Sequence, residues 1–194
     1  MAILTIGFTP LVAAQSAPPR AETAPATQAA PTSAADLDRL FAELAMPSAE
    51  GDDSWRRAQS DILRIWSQSG SAAMDLLHRR GVAALDEGDA VTAIGHLTAL
   101  VDHAPDFATG YVDRAAAYAA HGDFGPAAAD LAQALTLEPR QFTALTQLGA
   151  MLEDMGDLPR ALAAFQASLK INPHQPEAID AVARLQQAMD GIAL

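Results

Sequence analysis

Residues 87–105 read EGDAVTAIGHLTALVDHAP, and the pattern returns as HGDFGPAAADLAQALTLEP at 121–139 and as MGDLPRALAAFQASLKINP at 155–173. Each copy begins 34 residues after the one before it. Every copy contains a Gly-Asp pair near its start, an alanine five residues past the glycine, and a proline at its end. A fixed period of this length indicates a stack of similar units, each of which buries its apolar face against its neighbours.

The shared residues predict a helix, a tight turn and a second helix in every unit. Glycine suits the left-handed conformation that ends a helix, and aspartate is a favoured N-cap for the next helix. The small alanine allows the two helices to approach closely, and a large residue lies on the same face four positions later, at Leu97, Leu131 and Phe165. The closing proline ends the second helix because it cannot continue the backbone hydrogen bonds.

The first helix of each unit also has an apolar face with helical spacing. This face includes Leu77, Gly81 and Ala84, then Tyr111, Ala115 and Tyr118, then Leu145, Leu148, Gly149 and Leu152. A glycine inside a helix costs roughly 1 kcal/mol relative to alanine. We therefore expect Gly81 and Gly149 to lie where a neighbouring helix leaves no room for a side chain.

These residues resemble the tetratricopeptide repeat (TPR), whose pattern the third unit matches best, at Leu145, Leu148, Gly149, Leu152, Ala161, Phe165 and Pro173. Leu145 stands where the family usually has Trp, and Arg80 in the first unit stands where it usually has Leu. The resemblance covers residues 74–173. It implies an all-α fold, a right-handed α-solenoid of TPR helical hairpins with capping helices at its ends.

The repeat defines the domain organisation. Three TPR units (74–105, 108–139 and 142–173) lie within residues 71–175, and a C-terminal capping helix is expected at 176–190. Its apolar face is expected to include Ile179, Val182, Leu185 and Met189. Residues 36–70 predict a degenerate leading hairpin that packs on unit one, or else two unrelated helices that cap the array. Terminal helices of either kind would cover the exposed apolar ends of a repeat stack.

The first 35 residues differ in composition from the rest. Residues 1–14, MAILTIGFTPLVAA, resemble a secretory signal peptide with a small-residue cleavage site, although no Lys or Arg precedes the apolar run. A disordered apolar tail is the alternative. Residues 15–35 are rich in Pro and Ala and predict a disordered linker. We therefore expect an exported, periplasmic protein.

Composition excludes several functions. The formal net charge of −12 disfavours nucleic acid, whose phosphates bind clustered Lys and Arg. The chain contains no cysteine, and no apolar run is long enough for a membrane span. No catalytic motif, cofactor fingerprint or metal motif is present, and five scattered histidines do not form one. We therefore expect neither an enzyme nor a bound cofactor or metal.

Acidic pairs precede two of the Gly-Asp turns, at Asp86-Glu87 and Glu153-Asp154. Carboxylates at helix C-termini oppose the helix dipole, so helix stability does not explain them. Solubility is one explanation, and a basic ligand is the other.

The TPR resemblance implies a concave groove lined by the first helices, which is where ligands of the family usually lie. The groove residues it implies are Asp75, His78, Val82, Leu85, Thr109, Val112, Ala116, Ala119, Thr143, Thr146, Ala150 and Glu153. They lack the Lys and Asn residues of TPR domains that grip acidic C-terminal tails. The expected partner is a protein or peptide with an apolar or helical segment and basic flanks.

The predicted function is a scaffold or adaptor in cell-envelope assembly. One alternative is a self-associating structural module without a peptide ligand, with the region of Trp55 and Trp66 or the edge of the array as its contact. In another alternative, the linker or the leading helices occupy the groove themselves.

Overall fold

The computed structural model describes residues 34–47 and 53–192, and within these ranges the chain forms nine helices and no strand. The helices are α1 (Ala34–Leu44), α2 (Ser54–Trp66), α3 (Ala72–Asp86), α4 (Ala90–His103), α5 (Ala108–His121), α6 (Phe124–Leu137), α7 (Phe142–Asp154), α8 (Leu158–Ile171) and α9 (Pro176–Ile192). The predicted signal peptide and all but the last two residues of the predicted linker lie outside the described residues. Ala34 and Ala35, which we assigned to that linker, instead form the start of α1.

The three repeat units are the hairpins α3–α4, α5–α6 and α7–α8, as the sequence predicted. The turn between α5 and α6 shows why the Gly-Asp pair recurs. Gly122 has a φ of +92° and ends α5, and the backbone N–H of Asp123 donates to the carbonyl of Tyr118 at 2.8 Å. Only glycine adopts this left-handed conformation without a steric cost from Cβ.

The aspartates of the turns do not all act as predicted. The side chains of Asp89 and Asp157 accept backbone N–H bonds at the starts of α4 and α8, which confirms the N-cap role. Asp123 makes no such bond, and its carboxylate lies 2.9 Å from Nδ1 of His121. The carboxylate of Asp123 therefore contacts the end of α5 and does not cap α6.

The helical glycines lie at the closest helix–helix contacts, as expected. A Cβ atom on Gly81 would lie 2.5 Å from Cγ of Leu97, and one on Gly149 would lie 2.9 Å from the ring of Phe165. Both distances are shorter than real carbon contacts. The lost helix propensity is therefore the cost of packing these hairpins closely.

An ion pair inside the stack joins α5 to α6. The guanidinium of Arg114 donates from Nε and Nη2 to the two oxygens of Asp130, both at 2.7 Å. The side chains of Arg114 and Asp130 are only 15% and 9% exposed. Hydrogen bonds from Arg114 to Asp130 raise the pKa of Arg114, because they stabilise the charged guanidinium.

Helix α9 caps the C-terminal end of the stack, and Val182 and Leu185 of its predicted apolar face pack there, whereas Ile179 does not. Ala178, Ala181 and Leu185 are buried against the α7–α8 hairpin, and Val182 packs beside them. Ile179 was expected on this face and is 47% exposed. The two alanines allow α9 to pack closely on the third unit, which turns Ile179 outward.

The leading hairpin α1–α2 does not pack on unit one as we expected. Its buried residues form a cluster with Phe142 at the start of α7, and Ile171 at the end of α8 packs against that cluster. The ring centroids of Trp66 and Phe142 are 5.3 Å apart. Large apolar residues on α2 find large apolar partners in the third unit, so the hairpin folds back across the inter-repeat turns.

Polar contacts fix the leading hairpin in this position. Arg140 donates to Asp38 at 2.7 Å and lies over the ring of Phe41. Asn172, which is fully buried, donates to Gln59 at 3.0 Å. These residues belong to the turns after the second and third units, so the hairpin bridges both.

In the part of the chain that the structure describes, no helix combines the length and hydropathy that crossing a bilayer requires.

Candidate peptide-binding groove

A cleft of about 380 Å³ lies between the first helices of units two and three. Alanines from α5 and α7 form its walls, at Ala115, Ala116, Ala119, Ala120 and Ala150. Larger side chains form the rest of its lining, at Phe124, Leu131, Met151 and Gln147. Asp154 at the end of α7 is the charged residue of the lining. We call this cleft the alanine groove.

Three of the predicted groove residues, Ala116, Ala119 and Ala150, line the alanine groove. Ala150 is exposed and the other two are half-buried. The small alanine side chains leave the space between α5 and α7 empty, while α6 closes it from behind. The result is an apolar cleft of the size that binds small ligands or a few peptide side chains, roughly 300–1,000 Å³.

Asp75, His78 and Val82 line a different cleft, on α3 beside Ser67 and Gln68. The hydroxyl and the backbone N–H of Ser69 both donate to Asp75, at 2.7 and 2.8 Å, and lower the pKa of its carboxyl group. This cleft is therefore built around an aspartate that is already hydrogen-bonded.

His78 is more buried than a groove residue would be. It is 8% exposed, its Nε2 lies 2.5 Å from Oδ2 of Asp113, and its ring meets the edge of Phe107. These contacts join α3 to α5. His78 therefore holds the first helices of units one and two together instead of contacting a ligand.

The three predicted threonines lie beside the leading hairpin. The hydroxyl of Thr109 donates to the carbonyl of Trp66 at 2.7 Å. Thr143 and Thr146 line a cleft of about 300 Å³ with Gln59 and Leu63 of α2. The leading hairpin therefore borders this end of the groove but does not occupy it as one of our alternatives proposed, and the alanine groove stays open.

Three predicted groove residues make contacts within the protein. Val112 is 3% exposed and packs among the alanines of α5, α6 and α7. Leu85 is half-buried and packs against the core of unit one. Glu153 accepts two hydrogen bonds from Arg184 of α9, at 3.0 and 2.9 Å, which raise the pKa of Arg184. Close packing therefore buries Val112, whereas Leu85 and Glu153 stay partly exposed beside their partners.

Comparisons with known proteins agree with this architecture. No protein-family profile matches the chain. A TPR repeat-containing protein of Rhizobium etli is 29% identical over 156 residues, which are 80% of this chain and 75% of that protein. The Sgt2 TPR domain of Aspergillus fumigatus superposes with a TM-score of 0.60 at 24% identity, covering 63% of this chain and 83% of that domain.

The first TPR domain of Spaghetti (RPAP3), bound to the HSP90 peptide SRMEEVD, superposes with a TM-score of 0.58 at 24% identity. The match covers 60% of this chain and 93% of that domain. This chain has the TPR fold. The name of the Rhizobium relative and the structural neighbours together support a relationship of this chain to the TPR repeat family.

The sequence analysis did not identify some residues of the alanine groove. Phe124, Leu131 and Met151 form much of its apolar surface, and they were assigned to the core or not considered. Asp154 could have been identified from the sequence, because a carboxylate at the end of a helix opposes the helix dipole. In the described residues, no group of three or more His, Asp or Glu could hold a metal ion.

Proposed function

We propose that this chain is a non-catalytic adaptor that binds a segment of a partner protein in the alanine groove. The observation that supports this is an open apolar cleft between α5 and α7, on the face where the TPR resemblance places ligands. A peptide segment suits the cleft, because its side chains can enter while its backbone stays near solvent. The polar residues of the lining, Gln147 and Asp154, do not form a nucleophile–base pair.

The charge of the groove distinguishes the proposed ligand from that of the RPAP3 neighbour. The peptide in that complex, SRMEEVD, carries two Glu and one Asp against one Arg. The alanine groove presents Asp154, in a chain whose formal net charge is −12. Because like charges repel, an apolar segment with basic flanks suits this chain better than an acidic tail.

We place this activity at the cell envelope, where the adaptor would assist assembly. The apolar residues 1–14 and the Pro/Ala-rich stretch that follows support export. Fractionation of cells that produce the protein tests this part separately. Recovery of the chain in the cytosolic fraction with residues 1–14 intact would rule out the periplasmic location.

Site-specific photo-crosslinking in the producing cells tests groove binding. A photo-reactive phenylalanine analogue is placed at Ala150 in the groove, or at Ala132 on the exposed face of α6 as the matched control. We expect a discrete crosslinked partner from position 150 and none from position 132. Adding Ala116→Arg should abolish that crosslink, because a long cation fills the cleft.

Equal crosslinking from both positions, or a product unaffected by Ala116→Arg, would contradict groove binding. Val112→Arg would not serve as the blocking change, although Val112 is one of the groove residues that the TPR resemblance implies. With Val112 at 3% exposure, that change would disrupt the core and could not report on binding.

A second candidate function is self-association as a structural module. Exposed apolar residues of unit one favour it. Leu76 is 42% exposed and Val91 is 66% exposed, and the leading hairpin packs elsewhere. The tryptophan region suggested by the sequence is already occupied, since Trp66 is buried and Trp55 stacks on His174. Light scattering that shows a monomer at high concentration would exclude this candidate. A dimer that Leu76→Glu dissociates would support it.

A further inference from the structure

The alanine groove has one bordered end and one open end. At the starts of α5 and α7, the leading hairpin contacts Thr109 and Phe142. Gln147 lines both the alanine groove and the cleft beside α2, so it separates the two. The other end of the groove lies where α5 and α7 finish, near Asp154.

The open end favours a positive charge. Helices α5 and α7 end at His121 and Asp154, and the C-terminus of a helix carries a partial negative charge of roughly half an elementary unit. The side chain of Asp154 adds a full negative charge in the same place. Among the ion pairs of the described residues none includes Asp154, whereas its neighbour Glu153 is paired with Arg184.

The spacing along α7 relates the apolar and charged parts of the groove. Ala150 and Asp154 are separated by four residues of helix, a rise of about 6 Å at 1.5 Å per residue. An extended peptide advances about 3.3 Å per residue. A cation that reaches Asp154 is therefore about two residues away from an apolar side chain in the cleft.

One polar atom of the groove is left without a partner. The side-chain oxygen of Gln147 is buried and accepts no hydrogen bond within the described residues. A buried acceptor without a donor is unfavourable by about 1–3 kcal/mol. Rotation of this side chain toward a bound peptide would let it accept a backbone N–H.

We infer that the ligand is a peptide segment with one bulky apolar side chain and a Lys or Arg one or two residues away from it. The apolar side chain fills the cleft against Phe124, Leu131 and Met151. The cation pairs with Asp154 at the open end. This inference rests on the proposed function and adds the chemistry of the ligand.

Selection from a phage-displayed library of random dodecapeptides on the full-length protein tests this inference. Parallel selection on the Ala116→Arg and Ala150→Arg double variant removes peptides that bind elsewhere. We expect the enriched sequences to share an aromatic or large aliphatic residue with a Lys or Arg within two positions of it. A synthetic peptide with the consensus sequence is then titrated by fluorescence anisotropy.

Substitution of the aspartate tests the cation contact directly. Asp154→Asn should weaken the binding of the consensus peptide by about three- to tenfold, as expected for a partly exposed ion pair next to helix termini. The same substitution should not affect a peptide in which the cation is replaced by alanine. Asp102→Asn, on the exposed face of α4, is the control and should change neither affinity.

The outcomes separate this inference from the proposed function. Enriched peptides that lack the cation, or whose affinity does not depend on Asp154, would overturn the inference while the adaptor role stands. An acidic consensus would also overturn it. No enrichment over the double variant would overturn both.

Discussion

Replacing Gly149 by alanine tests the close packing of the hairpins, on which the stack depends. A Cβ atom at this position would lie 2.9 Å from Cγ and Cδ2 of Phe165, whose side chain is buried. Adding a methyl group to a filled core costs about 1–3 kcal/mol. Alanine regains about 1 kcal/mol of helix propensity. We therefore expect a net loss of about 1 kcal/mol of stability, which lowers Tm by about 2–4 °C for a domain of this size.

Gly95 provides the matched control, because it lies within α4 and a Cβ atom there would meet nothing within 4 Å. Gly95→Ala should stabilise the protein by up to about 1 kcal/mol. Urea unfolding followed by far-UV circular dichroism measures both variants, with the free energy of unfolding extrapolated to water. The two substitutions should shift that free energy in opposite directions.

A second change should rescue the first. In unit two the equivalent pair is Ala115 and Leu131, both buried. Combining Gly149→Ala with Phe165→Leu copies that pair into unit three. The double variant should be more stable than the sum of the single effects predicts, by at least about 0.5 kcal/mol. If Gly149→Ala stabilised the protein as much as Gly95→Ala does, the packing explanation would be wrong.

Three further predictions concern the ion pair, the leading hairpin and the acid stability. Asp130→Ala leaves Arg114 buried without its partner and should cost about 2–4 kcal/mol in urea unfolding; a loss no larger than that of Asp130→Asn would argue against it. Both tryptophans lie in α2, and Phe142 belongs to the apolar cluster that holds the leading hairpin in place. In the Phe142→Ala variant the hairpin should detach first, so the tryptophan fluorescence should shift to the red at a lower urea concentration than the one at which the helical circular dichroism is lost. Coincident fluorescence and circular dichroism transitions would contradict this detachment. Hydrogen bonds from Ser69 lower the pKa of Asp75, so their contribution is present above about pH 4 and is lost as the pH falls through the lowered folded-state pKa. The stability difference between the protein and its Asp75→Asn variant should therefore shrink in acid, and a difference independent of pH would refute this.

The composition of the groove could be predicted only in part. Ala116, Ala119 and Ala150 were found because family spacing places them on the first helices. Val112 follows the same spacing, yet it is buried because the alanines around it draw α5, α6 and α7 together. Whether a residue on an inner helix faces a ligand or a neighbouring helix depends on helix separation, which the spacing does not reveal.

Features that depend on local backbone chemistry could be predicted from the amino-acid sequence alone. The 34-residue period, the left-handed glycines of the turns and the small residues between paired helices all constrain neighbouring residues, so they can be seen in the sequence. The helix boundaries follow from the same signals.

The position of the leading hairpin, and which carboxylate of the Glu153-Asp154 pair is open, depend on how the helices pack together. The contact from Arg140 to Asp38 spans 102 positions of sequence, and the contact from Arg184 to Glu153 spans 31. Such contacts form because complementary surfaces meet after the helices have packed. No local pattern specifies them, and they determine which face of the stack stays open to a partner.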